Sequence, residues 1–166
     1  AGGVIRSFSY NDKFPWPAAA DGTGHSLTLM APQTNPDHAL PENWRASVLP
    51  EGTPGSTDAI PFTGNAAADT DGDGNSDLFN YAFAAPFAFA SARPDGTPAV
   101  VFVRRAGSDE ALVVVEGSDD LSHWSPLPRA QLVLVSAPAG GLVSETWISS
   151  PGPGRAYVRA RAAARQ

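Results

Sequence analysis

The 166-residue sequence contains no cysteine, which excludes both a disulfide framework and a metal site built on thiolates. It also lacks any run of 18 apolar residues and therefore predicts no membrane-spanning helix. Charged residues are sparse, and the net charge of -6 argues against binding to the phosphate backbone of nucleic acids. The chain opens without an initiator methionine or a signal peptide, as expected for a processed chain or a fragment of something longer.

Glycine and proline are abundant, with 16 of each, and this favours many short strands with frequent turns over long helices. The length fits one domain or two small ones. We therefore predict a mostly β fold with immunoglobulin-like or small β-sandwich parts and one short helix. Three segments are expected: a β segment over residues 1–56, a linker with an acidic loop and the helix over 57–90, and a β-sandwich-like module over 91–166.

The first segment has three stretches with strand character, at residues 4–10, 25–30 and 43–47. The prolines between the last two stretches predict a loop over residues 31–43. Four apolar side chains of this segment are expected to be core residues: Trp16, Leu27, Leu29 and Trp44.

A series of short motifs runs along the same segment: Tyr10, Trp16-Pro17, Ala20-Asp21-Gly22-Thr23-Gly24-His25-Ser26-Leu27, Asn43-Trp44 and Gly52-Thr53-Pro54-Gly55. In this order they resemble the closing half of a bacterial lamin-tail domain, over roughly residues 4–56. The resemblance implies an immunoglobulin-like β-sandwich of the kind found in large secreted or surface proteins. The opening strands of a complete domain would lie before residue 1, or else this segment packs on the second half of the chain, because a half sandwich would expose an edge and an apolar face.

The second half of the chain has five stretches typical of short strands, at residues 98–105, 111–118, 131–136, 142–149 and 155–163. The continuous apolar run over residues 111–118 predicts burial on both faces of that strand. A helix is predicted to begin at Ser76 or Asp77, to direct its aromatic side chains toward the core, and to end or kink at Pro86.

Between the two halves lies an acidic loop, defined as residues 69–80, which places four aspartates within nine residues. Like charges at this density repel one another unless a cation lies between them. Counted from Asp69, the aspartates recur at alternate positions of the loop and a glycine is at position 6. This is the spacing of an EF-hand calcium loop, in which the backbone carbonyl of Asn75 would be the ligand at position 7. We therefore predict a Ca²⁺ site with six candidate ligands: Asp69, Asp71, Asp73, Asn75, Asp77 and Asn80.

The loop departs from an EF-hand at both ends, because no helix is expected before it and its last position carries Asn80. An amide offers one neutral oxygen where glutamate offers a bidentate carboxylate, so we expect a Kd of roughly 10⁻⁴–10⁻³ M, as in extracellular modules. Mg²⁺ is less favoured because it keeps its waters, and Zn²⁺ because no cysteine or nearby histidine is present. The alternative to a metal site is a solvated acidic turn.

A second set of motifs comprises residues 69–81, Val103-Arg104-Arg105, residues 115–124 (Val-Glu-Gly-Ser-Asp-Asp-Leu-Ser-His-Trp) and Ala156-Tyr157-Val158-Arg159. Together they resemble a C-terminal module found at the ends of very large exported proteins of environmental bacteria, over about residues 66–162. The resemblance implies a calcium loop paired with a β domain, an exported location and no established activity. Such loops usually end in glutamate, where this chain has Asn80.

Catalytic patterns are weak. The three histidines, His25, His38 and His123, are far apart in sequence, and neither a nucleophile elbow nor a phosphate-binding glycine loop is present. Asp119-Asp120 beside His123 is better interpreted as a capped turn than as an acid–base pair. Glu116, in a buried strand, is expected to form a structural ion pair with an arginine such as Arg104 or Arg105.

These observations favour a non-catalytic, calcium-stabilised structural or adhesion module of an exported bacterial protein, located outside the cell or at its surface. Its partner would be an unknown protein or glycan there. The alternative is a carbohydrate-binding accessory module that stacks sugars on an exposed tryptophan. The candidates for that role are Trp16, Trp44, Trp124 and Trp147.

Overall fold

The structure is a computed structural model that describes residues 3, 6–84, 99–148 and 157–165. The chain is mostly β, with three antiparallel sheets and one short α-helix, which confirms the predicted fold class. The strands and the helix are β1 (His25–Leu29), β2 (Trp44–Pro50), α1 (Asp77–Ala82), β3 (Ala99–Arg105), β4 (Ala111–Ser118), β5 (Ser125–Pro126), β6 (Leu132–Val135), β7 (Leu142–Ile148) and β8 (Tyr157–Ala164). Within these described ranges, no helix has the length and apolar character needed to cross a membrane.

Two three-stranded sheets form the larger part of the fold. One has the strand order β3-β7-β6 and the other β5-β4-β8. Apolar side chains from both sheets and from α1 share one core cluster, which includes Phe102, Val115, Leu132 and Trp147. Burial of each large apolar side chain stabilises a fold by about 1.5–3 kcal/mol, so this cluster holds the sandwich-like pair of sheets together.

Strands β1 and β2 form an antiparallel hairpin that precedes the sandwich, close to where both strands were predicted. The strand predicted over residues 4–10 is wrong for the described residues 6–10, which have no regular structure, and residues 4 and 5 lie outside the described residues. The reason is that this stretch packs through a side chain instead of a backbone ladder. Phe8 stacks on Trp44 of β2 with 5.4 Å between the ring centroids.

The five strands predicted in the second half are present as β3, β4, β6, β7 and β8. Residues 98, 149, 155 and 156, at the ends of the predicted stretches, lie outside the described residues. The prediction that β4 is buried on both faces is wrong at Leu112, whose side chain is 44% exposed. Ala111 and Val115 reach the core cluster, whereas Leu112 lies on the opposite face, because side chains alternate along a strand.

The helix is shorter than predicted and ends before Phe83. Phe83 pairs with Arg104 of β3 in an isolated β-bridge, and the backbone N–H of Ala84 donates to the carbonyl of Val103 at 3.3 Å. This pairing with β3 takes the chain out of the helix well before Pro86, whose own region, residues 85–90, lies outside the described residues.

A buried ionic contact joins the hairpin to the sandwich. Arg45 of β2 donates to Asp109, in the turn between β3 and β4, through Nε at 2.6 Å and Nη2 at 3.0 Å. The same guanidinium donates to Asp58 of the linker, and the Asp58 carboxylate also accepts the backbone N–H of Val48 at 2.6 Å. The first segment therefore packs on the second half of the chain, and the linker is held between them.

Candidate metal centre

Three aspartates of the acidic loop converge at one point. Asp69, Asp71 and Asp73 each place a carboxylate oxygen within 4.8 Å of the oxygens of the other two, and all three residues are exposed. Oxygen ligands lie about 2.3–2.6 Å from a bound Ca²⁺, so oxygens at this mutual distance can share one ion. The triad can therefore bind a metal ion.

Two glycines give the loop the backbone shape that this convergence needs. Gly72 has φ +73° and Gly74 has φ +87°, a left-handed conformation that glycine adopts without steric cost. The turn brings two backbone N–H groups onto the carboxylate of Asp69, from Asp73 at 3.1 Å and from Gly74 at 3.0 Å. These bonds fix the Asp69 side chain while leaving lone pairs for a cation.

Asp77 closes the loop and lies outside the triad. Its carboxylate accepts the backbone N–H of Thr70 at 2.9 Å, the Thr70 hydroxyl at 2.8 Å and the backbone N–H of Asn65 at 3.3 Å. The backbone bond from Thr70, followed by the bond from its hydroxyl, lowers the pKa of Asp77. The EF-hand spacing assigns Asp77 as a ligand. In the structure, its carboxylate connects the end of the loop to the beginning through hydrogen bonds.

Asn80 lies against the triad. Its Nδ2 donates to Asp71 Oδ2 and to Asp73 Oδ2, both at 3.2 Å. Asn75 lies on the other side, where its backbone N–H donates to Asp73 Oδ1 at 2.7 Å. The bond from the Asn75 backbone, helped by the side chains of Asn75 and Asn80, lowers the pKa of Asp73. The loop thus brings neutral donors to its carboxylates.

Helix α1 connects the acidic loop to the core. Ser76 caps the helix by accepting the backbone N–H of Phe79 at 3.2 Å, and the N–H of Asp77 donates to the carbonyl of Ala68 at 2.6 Å. On the buried face of the helix, Leu78 is 3% exposed and reaches the core cluster. The order of the loop is therefore tied to the packing of the sandwich.

The donor set decides which metals the residues fit. The convergent groups are carboxylate oxygens, and no histidine contributes to the cluster within the described residues. Hard oxygen ligands on an exposed loop suit Ca²⁺ better than Zn²⁺, which is bound mainly by nitrogen and sulfur ligands. Thr70 and Asn65 donate hydrogen bonds to Asp77, and the sequence did not predict this role. Neither residue has the spacing of a metal ligand, and these bonds depend on the path of the folded backbone.

The histidines remain apart in the described part of the chain. His25 is buried, with Nδ1 2.7 Å from the carbonyl of Ser47, and His38 lies in a loop beside Arg6. His123 contacts Asp120, whose carboxylate also accepts the backbone N–H groups of Ser122 and His123 at 2.8 Å each. These bonds lower the pKa of Asp120, with the His123 side chain contributing most. The arrangement is the capped turn that the sequence predicts.

Glu116 is held by different arginines from those predicted. It pairs with Arg159 Nε at 2.8 Å and Arg161 Nε at 3.0 Å, both from β8. The expected pairing with Arg104 or Arg105 is wrong. The sheet register explains the difference, because Glu116 lies directly opposite Arg159, whereas Arg104 pairs with Glu145 of β7.

The four tryptophans differ in exposure, and none of them is fully exposed. Trp16 and Trp147 are buried, at 8% and 6% exposure. Trp44 and Trp124 are half-buried, and each has one face covered: Phe8 stacks on Trp44, and the Arg159 guanidinium lies 4.2 Å from the Trp124 ring centroid. The tryptophans are therefore packed as structural residues in this conformation.

Comparison with known proteins returns no protein-family model that matches the chain, and neither a curated protein nor a solved structure that is significantly similar to it.

Proposed function

We propose that the protein is a non-catalytic, calcium-stabilised structural or adhesion module of an exported bacterial protein. The observation that carries this proposal is the convergence of Asp69, Asp71 and Asp73 in a loop that α1 anchors in the core. The role of calcium would be to fix the connection between the linker and the sandwich, not to support a reaction.

The electrostatics of the loop support calcium as its partner. Three exposed carboxylates within 4.8 Å of one another repel, and only the neutral donors of the loop offset that repulsion. A divalent cation at the centre converts the repulsion into attraction. Because all the convergent groups are oxygens, the ion that fits them best is one that accepts six to eight oxygens in flexible geometry.

The position of Asn80 supports weak binding. Its amide nitrogen donates to two of the triad carboxylates at 3.2 Å, so a cation would displace this hydrogen-bond donor. When the amide turns, its Oδ1 can act as a single neutral ligand. We therefore expect a Kd of roughly 10⁻⁴–10⁻³ M, which matches the calcium levels outside cells.

Calorimetric titration with CaCl₂ tests the proposal. The wild-type chain is expected to bind one Ca²⁺ in that affinity range and to bind Mg²⁺ more weakly. Asp71→Asn removes one triad charge and should abolish the calcium heat. Asp21→Asn is the matched control, because Asp21 is an exposed turn residue whose side chain has no hydrogen bond to any described residue, and it should bind calcium like the wild type. Absence of calcium heat in the wild type would refute the metal site.

A further inference from the structure

A cavity of about 190 Å³ lies between the hairpin and the sandwich. We call it the junction cleft and define it by six of its lining residues: Trp16, Trp44, Arg129, Val133, Trp147 and Arg165. No residue of the acidic loop lines it. The cleft is therefore a separate feature of the molecule, and an inference drawn from it does not depend on calcium.

Apolar side chains form most of its walls. Of the lining residues, Trp16 and Trp147 are buried, whereas Val133 and Leu134 of β6 are 39% and 58% exposed. Among the described strands, β6 is at the edge of its sheet, with only β7 beside it. Adjacent exposed aliphatic side chains on an edge strand carry an aggregation risk unless something covers them. An apolar group seated in the cleft would cover this surface.

Four arginines and two glutamates, Glu42 and Glu145, line the cleft, so its charged lining is net positive in a chain whose net charge is -6. Four of the eleven lysines and arginines line it: Arg45, Arg104, Arg129 and Arg165. Arg45 and Arg104 are held in the ion pairs described above, and Arg165 donates its Nε to the backbone carbonyl of Asp109 at 3.0 Å. Three of the four arginines thus already have partners.

Arg129 is different, because its side chain makes no hydrogen bond and no ion pair with any residue that the structure describes. Glu145 and Glu42 attract it from beyond ion-pair distance. Desolvation lowers the pKa of Arg129, and the attraction of these two carboxylates is too weak to bring the pKa back to its usual value. Arg129 is exposed, whereas Trp16 and Trp147 are buried, so the unpaired guanidinium is more accessible to solvent than these two rings.

We propose that the junction cleft binds a small amphipathic monoanion. Its carboxylate would pair with the Arg129 guanidinium, whose planar fork matches a carboxylate in two parallel hydrogen bonds. Its aromatic or branched aliphatic body would lie against Trp16 and Trp147. An apolar cavity of about 150 Å³ is large enough for benzene, so the volume here suits a single ring with a short acidic arm.

Phenylacetate is the probe that tests this proposal, with phenylacetamide as its uncharged counterpart. Two-dimensional ¹⁵N NMR of the whole chain resolves the four tryptophan indole N–H signals. Titration with phenylacetate is expected to shift the signals of Trp16 and Trp147 and to leave Trp124, which does not line the cleft, unchanged. Phenylacetamide should bind about tenfold more weakly, because it lacks the charge that Arg129 recognises.

Arg129→Gln separates the charge contribution from the apolar one. This variant should bind phenylacetate about tenfold more weakly and keep its affinity for phenylacetamide. Arg105→Gln is the control, because Arg105 is exposed, lies outside the cleft and makes no side-chain hydrogen bond within the described part of the chain. Equal binding of the two probes by the wild type, or unchanged phenylacetate binding by Arg129→Gln, would overturn the anion site. Absence of any shift at Trp16 and Trp147 would overturn the cleft itself.

Discussion

At the scale of single residues, Asn80 influences both the hydrogen bonding and the charge of the acidic loop. Its amide donates to Asp71 and Asp73, and so it provides partial positive charge where a cation is proposed to bind. A glutamate at this position would add a carboxylate to the triad and could not donate. Asn80 therefore favours a loop that holds its shape without metal, and under the proposed function it would lower the calcium affinity.

Asn80→Asp is expected to bind calcium about tenfold more tightly than the wild type, because it adds a charged ligand to the proposed site. Without calcium the same variant should melt at a lower temperature, since two hydrogen bonds are replaced by charge repulsion. Calorimetric titration and thermal unfolding with a chelator measure the two effects. Asn80→Ala removes the amide without adding charge, so an equal affinity in both variants would contradict this role of position 80.

The spacing of the aspartates was enough to predict that Asp69, Asp71 and Asp73 belong together. The same spacing did not distinguish Asp77, which accepts from Thr70 and Asn65 instead of joining the triad. A carboxylate can bind a cation or accept backbone N–H groups, and the choice depends on which groups the folded backbone brings near. That information is not contained in the spacing of the residues along the chain.

At the scale of elements, the register of the sheets decides which charges pair. Periodicity along the chain was sufficient to predict the strands of the second half, but the partner of Glu116 required knowledge of the neighbouring strand. Strand β8 brings Arg159 opposite Glu116, and β7 brings Glu145 close to Arg104. Sheet order is a property of long-range packing, and local pattern does not determine it.

Glu145→Gln is expected to lower the stability at neutral pH by about 3 kcal/mol, since it leaves Arg104 without its buried partner. Burial opposes ionisation of Glu145, but attraction to Arg104 and hydrogen bonds from Arg104 and Trp147 outweigh it and lower the pKa of Glu145. A carboxyl with a lowered pKa stabilises the fold above its unfolded pKa, and this stabilisation is lost as the pH falls through its folded pKa.

The wild type should therefore lose stability as the pH drops below about 4, and Glu145→Gln should lose less over the same range. Urea unfolding at a series of pH values measures both slopes. Glu51→Gln is the control, because Glu51 is exposed and its side chain forms no hydrogen bond with the residues that the structure describes. If the slopes of wild type and Glu145→Gln were equal, Glu145 would not contribute to the acid dependence.

At the scale of the whole molecule, Arg45 couples the hairpin to the sandwich. It is 5% exposed and is shared between Asp109 and Asp58. Burial raises the pKa of Asp109 and is only partly opposed by Arg45. Burial also opposes ionisation of Asp58, but hydrogen bonds from Arg45 and Val48 outweigh it and lower the pKa of Asp58. The Arg45 guanidinium therefore forms an ion pair with each of the two carboxylates.

Arg45→Ala would leave two carboxylates at the junction without their cation, and we expect a loss of about 3 kcal/mol or more. Hydrogen exchange followed by mass spectrometry should show faster exchange across β1 and β2 than in the wild type. The two sheets of the sandwich should keep most of their protection, because their shared core does not include the hairpin. Arg105→Ala serves as the control, and unchanged exchange of the hairpin in Arg45→Ala would contradict the coupling.

The most direct test of the central claim, that calcium in the acidic loop stabilises this fold, is the melting temperature in calcium and in chelator. At about 10 mM calcium, roughly 10–100 times the expected Kd, the melting temperature should rise by about 3–10 °C over that in chelator. Asp71→Asn should show no rise, and Asp21→Asn should behave like the wild type. Identical melting temperatures of the wild type in calcium and in chelator would contradict the claim.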